Sequence, residues 1–569
     1  MTATFGGARI PGMRSYSSLV AAGLWNMAMA TAAVPADVPR LDAPVRSPEN
    51  HVYQFMATRS FAFSGGKTRQ ATAYLWVPPS CVNVRGVLVA CRNVTEHWLI
   101  GHPAIRDACE KESLALLWSC PSFYPGMDSE DDGRQLAAFL REILGELAAT
   151  TGYTELARAP WLPMGGSAHL QMVKRLVDAA PEQCIAAIQI KNGRMDIGFR
   201  TNVPVLTMIG TSYEWDQAKA DLLVQWKTNK DDAAHQRRRE ATPDWPGSLI
   251  VEGGSGHFEC TEPMAAYIAR YINAAMRARM PADATLPQPL NLREGWIAGL
   301  GLPGGVDLPP KPFTDATPEE RALPWFFNKE LAEQARAMAR INWNAATQVP
   351  VFADAGGKPL PFGYRSIFSP LPFAPAHNGI TFPLHAGFLD ALPPDFVNAG
   401  ATLGHSATGE PRIDWICGPI APSGGNRFRV ALDRSWPDSP AFLCVWHPGD
   451  GDFRHSVQPG EVKLVPNTAG KPQSITFTLP AELPAGSTML PLQATSDQGM
   501  PVRFFVRAGP ATIENDCLHF TPIPPRTKLP LAVTVAAWQW GRAGNEPIQT
   551  APLVERTLLL TAPPKPESR

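Results

Sequence analysis

The sequence lacks an excess of charge of either sign, and it lacks closely spaced cysteine pairs. Its 51 basic and 52 acidic residues leave a formal net charge of −1, so there is no electrostatic argument for a nucleic-acid partner. The nine cysteines are spread along the chain without a C-x-x-C spacing, which gives a zinc or iron–sulfur site little support. We therefore expect no metal and no cofactor.

Long hydrophobic runs are also missing. Beyond the N-terminus, no segment approaches the ~18 apolar residues that a spanning helix requires, so no membrane span is expected in the mature chain. The N-terminus resembles an export signal, because Arg9 and Arg14 precede the apolar stretch 19–25, and residues 30–32 (Ala-Thr-Ala) fit an A-x-A cleavage site. The sequence predicts a signal peptide over residues 1–33 and a secreted or periplasmic protein.

Proline, in contrast, is abundant. The chain has 58 prolines in 569 residues, roughly twice average usage. A chain of this length exceeds what one core usually supports, so several domains are expected. The proline excess lies mostly outside residues 45–280 and indicates loop-rich β structure with edge strands.

Residues 161–172, WLPMGGSAHLQM, have the pattern of a strand that turns sharply into a helix. Small residues around Ser167 allow the strained backbone that such an elbow needs. The turn would lift the Ser167 hydroxyl above the sheet edge at a helix N-terminus, where backbone N–H groups point at whatever the hydroxyl attacks. Serine is also a good N-cap, and this simpler role is the alternative for Ser167.

Three buried strands follow this elbow, at residues 184–190, 203–209 and 248–252. The second leads into an acidic loop, and the third leads into a glycine-rich loop that contains His257. Serine, acid, histidine is the chain order of α/β-hydrolases. Residues 45–280 thus resemble a secreted serine esterase of the dienelactone-hydrolase type, which implies a doubly wound α/β sheet.

The resemblance implies a role for each residue. Ser167 would be the nucleophile, His257 the base that takes its proton, and Glu214 the acid that orients the imidazole. Asp216 is the alternative acid, and Asp196 also competes.

Two backbone donors would stabilise the oxyanion. One is the N–H of Ala168, and the other comes from the end of an early strand, at Asn93 or Val94. One departure from the family pattern Gly-x-Ser-x-Gly is His169, which stands where the last glycine is expected. This histidine predicts a wider helix crossing or a bulged turn, and it is expected to be packed rather than to act as a second base.

The remainder of the chain is predicted to be linker and β structure. Residues 281–325 are rich in proline and glycine and predict a linker or lid, with one helix possible from Trp325 to Ala339. Short alternating segments over 326–488 predict a β-sandwich. Residues 489–563, which include ATSDQGMPVRFFVRAGPAT, resemble bacterial Ig-like repeats.

These observations favour an exported serine esterase that acts on an ester, with an esterified polysaccharide as the expected substrate. Two alternatives stay open. One is a non-catalytic surface-binding protein whose hydrolase elbow is degraded, as His169 would suggest. The other is a serine peptidase, since the same triad serves both reactions.

Overall fold

A computed structural model describes the chain over residues 51–62, 68–123, 130–191, 202–211, 237–242, 244–253, 255–302, 304–340, 345–361, 368–394, 396 and 398–563. The N-terminal half is built on an eight-stranded sheet with the spatial order β1-β2-β4-β3-β5-β6-β7-β8. Its strands are β1 (Phe55–Ala62), β2 (Thr68–Trp76), β3 (Gly86–Cys91), β4 (Leu114–Cys120), β5 (Trp161–Gly166), β6 (Ala187–Ile190), β7 (Val205–Gly210) and β8 (Gly247–Glu252).

Six of these strands, β3 to β8, run parallel, whereas β2 pairs antiparallel with β1 and with β4. The strands β3 (GVLVAC) and β4 (LALLWSC) are buried at every position. Continuous apolar runs of this kind are typical of parallel strands that are covered on both faces. The sequence-based expectation of a doubly wound α/β-hydrolase sheet is confirmed by this order and direction of strands.

Helices cover both faces of the sheet. They are α1 (Val94–Ile100), α2 (Pro103–Lys111), α3 (Glu130–Thr151), α4 (Leu170–Ala179) and α5 (Glu262–Arg279). The apolar sides of α3 and α4 share one core with Val87 and Val89 of β3, and α1, α2 and α5 share the other core with Leu88 and Ala90. Successive residues of one strand therefore feed opposite cores, as the pleat requires.

Residues 281–340 lie against the β8 edge of the sheet. Three short strands, β9 (Trp296–Ile297), β10 (Lys311–Pro312) and β11 (Trp325–Phe326), form a small sheet. The Ser248 hydroxyl of β8 donates to Trp325 O at 2.6 Å. The helix predicted from Trp325 starts only at Lys329 (α6, Lys329–Ala339), because the Asn328 side chain caps it by accepting the N–H of Leu331.

The next region contains three small sheets of short strands. They are β12 (Pro350–Ala353) with β15 (His385–Phe388); β13 (Ser369–Leu371), β20 (Ser456–Val462), β19 (Ala441–His447) and β16 (Arg412–Cys417); and β14 (Thr381–Pro383), β18 (Arg427–Val430) and β17 (Ile420–Pro422). This segment is β-rich, as its alternating pattern predicts. The division of the chain at residues 281, 326 and 489 stays a prediction.

The last part of the chain is again β structure in three sheets. They are β21 (Ile475–Phe477) with β24 (Ala494–Ser496); β22 (Glu482–Pro484), β29 (Val554–Thr561), β28 (Leu531–Trp538) and β25 (Arg503–Ala508); and β23 (Met489–Pro491), β27 (Cys517–Phe520) and β26 (Ala511–Glu514). This part contacts the α/β region directly, since Gly509 N donates to Tyr53 O at 2.8 Å and Lys528 N donates to Thr151 O at 2.9 Å. Its relation to Ig-like repeats stays a prediction.

All nine cysteines lie in the described part of the chain as buried thiols, and none of them forms a disulfide there. Burial raises the pKa of Cys81 to about 11 and the pKa values of Cys91 and Cys109 to about 12. These side chains therefore act as small core residues. Among the described residues, no helix has the length and hydropathy needed to cross a bilayer.

Candidate active site

The elbow is formed where β5 ends at Gly166. A single 3₁₀ turn, Ser167–His169, follows the strand, and α4 begins at Leu170. Ser167 has a φ of +50°, the left-handed conformation that a non-glycine residue adopts only when its surroundings enforce it. This strained turn exposes the start of the helix, because Ser167 is half-buried and Ala168 is exposed.

Gly165 lets α4 approach the strand closely. A Cβ at this position would lie 2.7 Å from His169 O and 2.8 Å from Val173 Cγ2, closer than real Cβ contacts. Gly165 is the first glycine of the Gly-x-Ser-x-Gly pattern, and the close contact that it allows between helix and strand is present although His169 replaces the last glycine. The 3₁₀ turn accommodates His169, whose own φ of −80° is unstrained.

The structure brings Ser167 and His257 together. Ser167 Oγ lies 2.9 Å from His257 Nε2, although the two residues come from different loops. The imidazole side of the pair is buried, with His257 3% exposed. This is the hydrogen-bond distance at which an imidazole can accept a hydroxyl proton.

A buried ion pair holds the start of the loop that carries His257. Glu252, the last residue of β8, pairs with the ammonium of Lys191, and Lys191 Nζ also donates to Ser255 Oγ at 2.6 Å. The Thr261 hydroxyl donates to Glu252 Oε1 at 2.9 Å. One carboxylate therefore binds both ends of the loop around His257, and Lys191 ties that loop to the end of β6.

Asn93, which follows β3, and Glu96 of α1 hold the residue that precedes Ser167. Gly166 N donates to Glu96 Oε1 at 2.7 Å, and Asn93 Nδ2 donates to Gly166 O at 2.8 Å. Asn93 is the N-cap residue of α1, but its side chain makes no capping bond. The peptide groups on both sides of Gly166 are thereby fixed before the chain enters the strained serine.

His169 belongs to the same buried network. Its Nδ1 lies 3.0 Å from Glu96 Oε1, and its Nε2 lies 3.0 Å from Ser122 Oγ. It therefore connects helix α1, Ser122 after β4 and the turn that follows β5. His169, which stands where the family pattern has a glycine, is therefore a packed residue that bridges these segments.

His97, the neighbour of Glu96, is a further buried histidine. Burial, together with the positive charges of Arg92 and Arg434, lowers its pKa to about 3. His97 is therefore neutral in the folded protein, and its ring packs on Trp118 with centroids 4.7 Å apart.

The predicted acids fall outside the described residues. Glu214, Asp216 and Asp196 all lie in segments that the structure does not describe, so the choice between them stays a prediction. The oxyanion roles of Ala168 and Asn93 also stay predictions. The sequence analysis missed Glu96, Lys191 and their partners. Lys191 could have been found, because it is a charged residue that directly follows an apolar strand. Within the described ranges, no group of three or more His, Cys, Asp and Glu residues could hold a metal.

Comparisons with known proteins give likenesses to solved structures only. No protein-family model matches this chain, and no curated protein matches it significantly. A probable hydrolytic enzyme from Pseudomonas aeruginosa PAO1 is 14% identical, covers 41% of this chain and 98% of its own, and gives a TM-score of 0.27. A poly(3-hydroxybutyrate) depolymerase from Bordetella parapertussis is 17% identical, covers 41% of this chain and 92% of its own, and gives a TM-score of 0.27. The esterase domain of a Rhodothermus marinus protein is 15% identical, covers 39% of this chain and 98% of its own, and gives a TM-score of 0.24.

Proposed function

We propose that this protein is a serine hydrolase that cleaves carboxylic esters at Ser167. The observation that carries the proposal is the 2.9 Å contact between Ser167 Oγ and His257 Nε2 on a strained elbow. A serine hydroxyl is a weak nucleophile at neutral pH and needs an adjacent base. The half-buried serine and the exposed Ala168 leave the acyl group of a substrate a way to approach.

In the proposed reaction, Ser167 Oγ attacks the ester carbonyl while its proton passes to His257 Nε2. The backbone N–H groups of Ala168 and of Asn93 or Val94 would stabilise the oxyanion. The imidazolium then protonates the alcohol, which leaves, and an acyl-enzyme remains. Water attacks the acyl-enzyme with His257 again as base, the acid is released, and Ser167 regains its proton.

The acid in this proposal is Glu214, with Asp216 as the alternative. It would accept a hydrogen bond from the Nδ1–H of His257 and hold the productive tautomer. Loss of such an acid in a triad can lower kcat by about 10⁴-fold. We therefore expect Glu214→Gln to lose far more activity than Asp216→Asn, and the reverse result would transfer the role to Asp216.

The test uses the full chain with p-nitrophenyl acetate and a fluorophosphonate probe. We expect turnover and stoichiometric labelling of Ser167 in the wild type, only background in Ser167→Ala, and wild-type rates in the matched control Ser487→Ala. Equal background in wild type and Ser167→Ala would contradict the proposal and favour a binding protein. Faster cleavage of p-nitroanilides than of esters would indicate a peptidase.

The proposal extends to an exported enzyme that acts on an esterified polysaccharide. The export-signal pattern over residues 1–33 and the β-rich regions after residue 326 support this extension, although a fold alone fixes no ligand. The chemical test compares the release of acetate from acetylated xylan with that from small soluble acetates. Activity confined to the small esters would remove the polysaccharide from the proposal and leave the esterase.

A further inference from the structure

The loop that carries His257 is contacted from outside the α/β region. Phe258, the next residue, stacks on Phe368 with ring centroids 4.4 Å apart and an interplanar angle of 27°. Phe368 in turn packs on Phe442 of β19, with centroids 5.1 Å apart. The rings of His257 and Phe258 meet edge to face at 4.4 Å. A continuous row of four rings thus runs from His257 into the β-rich region.

A close carboxylate–imidazole contact makes a second connection. Glu259 Oε1 lies 2.6 Å from His455 Nε2, which comes from the residue just before β20. The other oxygen, Glu259 Oε2, accepts the N–H of Gly256 at 3.1 Å. The same carboxylate therefore binds the β-rich region on one side and the backbone next to His257 on the other.

Both side chains of the contact between Glu259 and His455 are largely buried. The Glu259 side chain is 1% exposed and that of His455 is 12% exposed. A buried carboxylate is costly unless it is paired and hydrogen-bonded. Because its partner His455 is supplied by the β-rich region, the conformation of the loop depends on that region being docked.

We propose that the β-rich region completes the active site, with Phe368 and His455 as positioning residues that hold His257 within reach of Ser167. This inference rests on the proposed hydrolase function. It assigns to residues 368–455 a part in catalysis that differs from a separate binding or spacer role. A shift of about 1 Å in a reacting group can cost about 100-fold in rate, so loss of either contact is expected to lower the rate of acylation.

The experiment compares Phe368→Ala and His455→Gln with the matched control Phe373→Ala. Phe373 is also a half-buried phenylalanine of the β-rich region, but it packs on Phe382 and Trp540. Each full-length variant is measured for kcat, for KM, and for the rate of Ser167 phosphonylation. We expect Phe368→Ala and His455→Gln to lose about 10-fold to 100-fold in kcat and in labelling rate with little change in KM. Phe373→Ala should keep wild-type values.

His455→Gln and one further variant, Phe368→Leu, keep the test decisive if Phe368→Ala fails to fold. His455→Gln preserves most of the side-chain volume, and Phe368→Leu should restore part of the lost rate. The inference is overturned if folded Phe368→Leu and His455→Gln variants label as fast as Phe373→Ala. If the wild type shows no Ser167-dependent labelling at all, the proposed function itself fails, which is a different result.

Discussion

Removal of the Lys191 ammonium is predicted to destabilise the protein and to weaken its active site. Lys191 is 1% exposed and pairs with Glu252, which is 4% exposed. A Lys191→Met substitution keeps an apolar side chain of similar length but leaves Glu252 as a buried charge without its cation. Breaking a buried ion pair in this way typically costs about 3–5 kcal/mol.

The remaining contacts of Glu252 set the expected value within this range. The hydroxyls of Thr261 and Ser255 still donate to the carboxylate, from 2.9 and 3.2 Å, and hydrogen bonds to a charged group contribute about 1.5–3 kcal/mol. We therefore expect a loss near the lower end, about 3 kcal/mol in the free energy of unfolding. The His257 loop should also lose order, so kcat should fall.

Urea unfolding at pH 7 measures the first effect through the midpoint at constant m-value. The matched control is Lys174→Met, whose partner Asp178 lies one turn along α4 and is, like Lys174, half-buried. A pair at this spacing on one helix is expected to contribute about 0.3–0.5 kcal/mol. In the double variant Lys191→Met/Glu252→Gln, part of the loss should be recovered, because the buried charge is removed with its partner. A Lys191→Met loss no larger than that of Lys174→Met would refute the assignment of a stabilising buried pair.

Two further predictions concern the elbow and the pH dependence of stability. Gly165→Ala should slow Ser167 labelling strongly and lower the free energy of unfolding by about 1–3 kcal/mol, because the added Cβ would lie 2.7 Å from His169 O. Unchanged labelling and an unchanged melting temperature would contradict this prediction. The pKa of His97 is lowered from 6.5 to about 3, so below pH 6.5 this histidine is protonated in the unfolded chain but stays neutral in the folded one. The free energy of unfolding therefore decreases as the pH drops from 7 towards 3, by about 2 kcal/mol at pH 5. The measurement is the difference in unfolding free energy between pH 7 and pH 5. We expect His97→Asn to remove this loss of stability, and His377→Asn, at an exposed histidine, to keep it. Equal pH dependence in His97→Asn and wild type would exclude His97 as the cause.

Much of the α/β region could be predicted from the sequence because its elements have strong local signals. The apolar run 248–252 predicts a strand that the structure has as Gly247–Glu252, and the run 203–209 predicts one that the structure has as Val205–Gly210. The meeting of Ser167 with His257 followed from the order of strands, since the carboxyl ends of parallel strands lie at one edge of the sheet.

The contacts that support the site could not be predicted in the same way. Glu96 lies in a short helix with no exposed face, so periodicity gives no direction for its carboxylate. Glu259 and His455 belong to segments far apart in the chain, and neither segment carries a pattern that points to the other. The three two-residue strands within 281–326 are too short for any periodic signal.

The buried thiols have a practical consequence for studies of this protein. Alkylating reagents consume thiolate, and burial raises the pKa of Cys91, Cys109, Cys184 and Cys417. A folded molecule therefore offers iodoacetamide little to react with at neutral pH, whereas an opened one presents its cysteines at once. Alkylation followed by mass spectrometry thus reports, for each cysteine, the fraction of molecules in which it has become accessible.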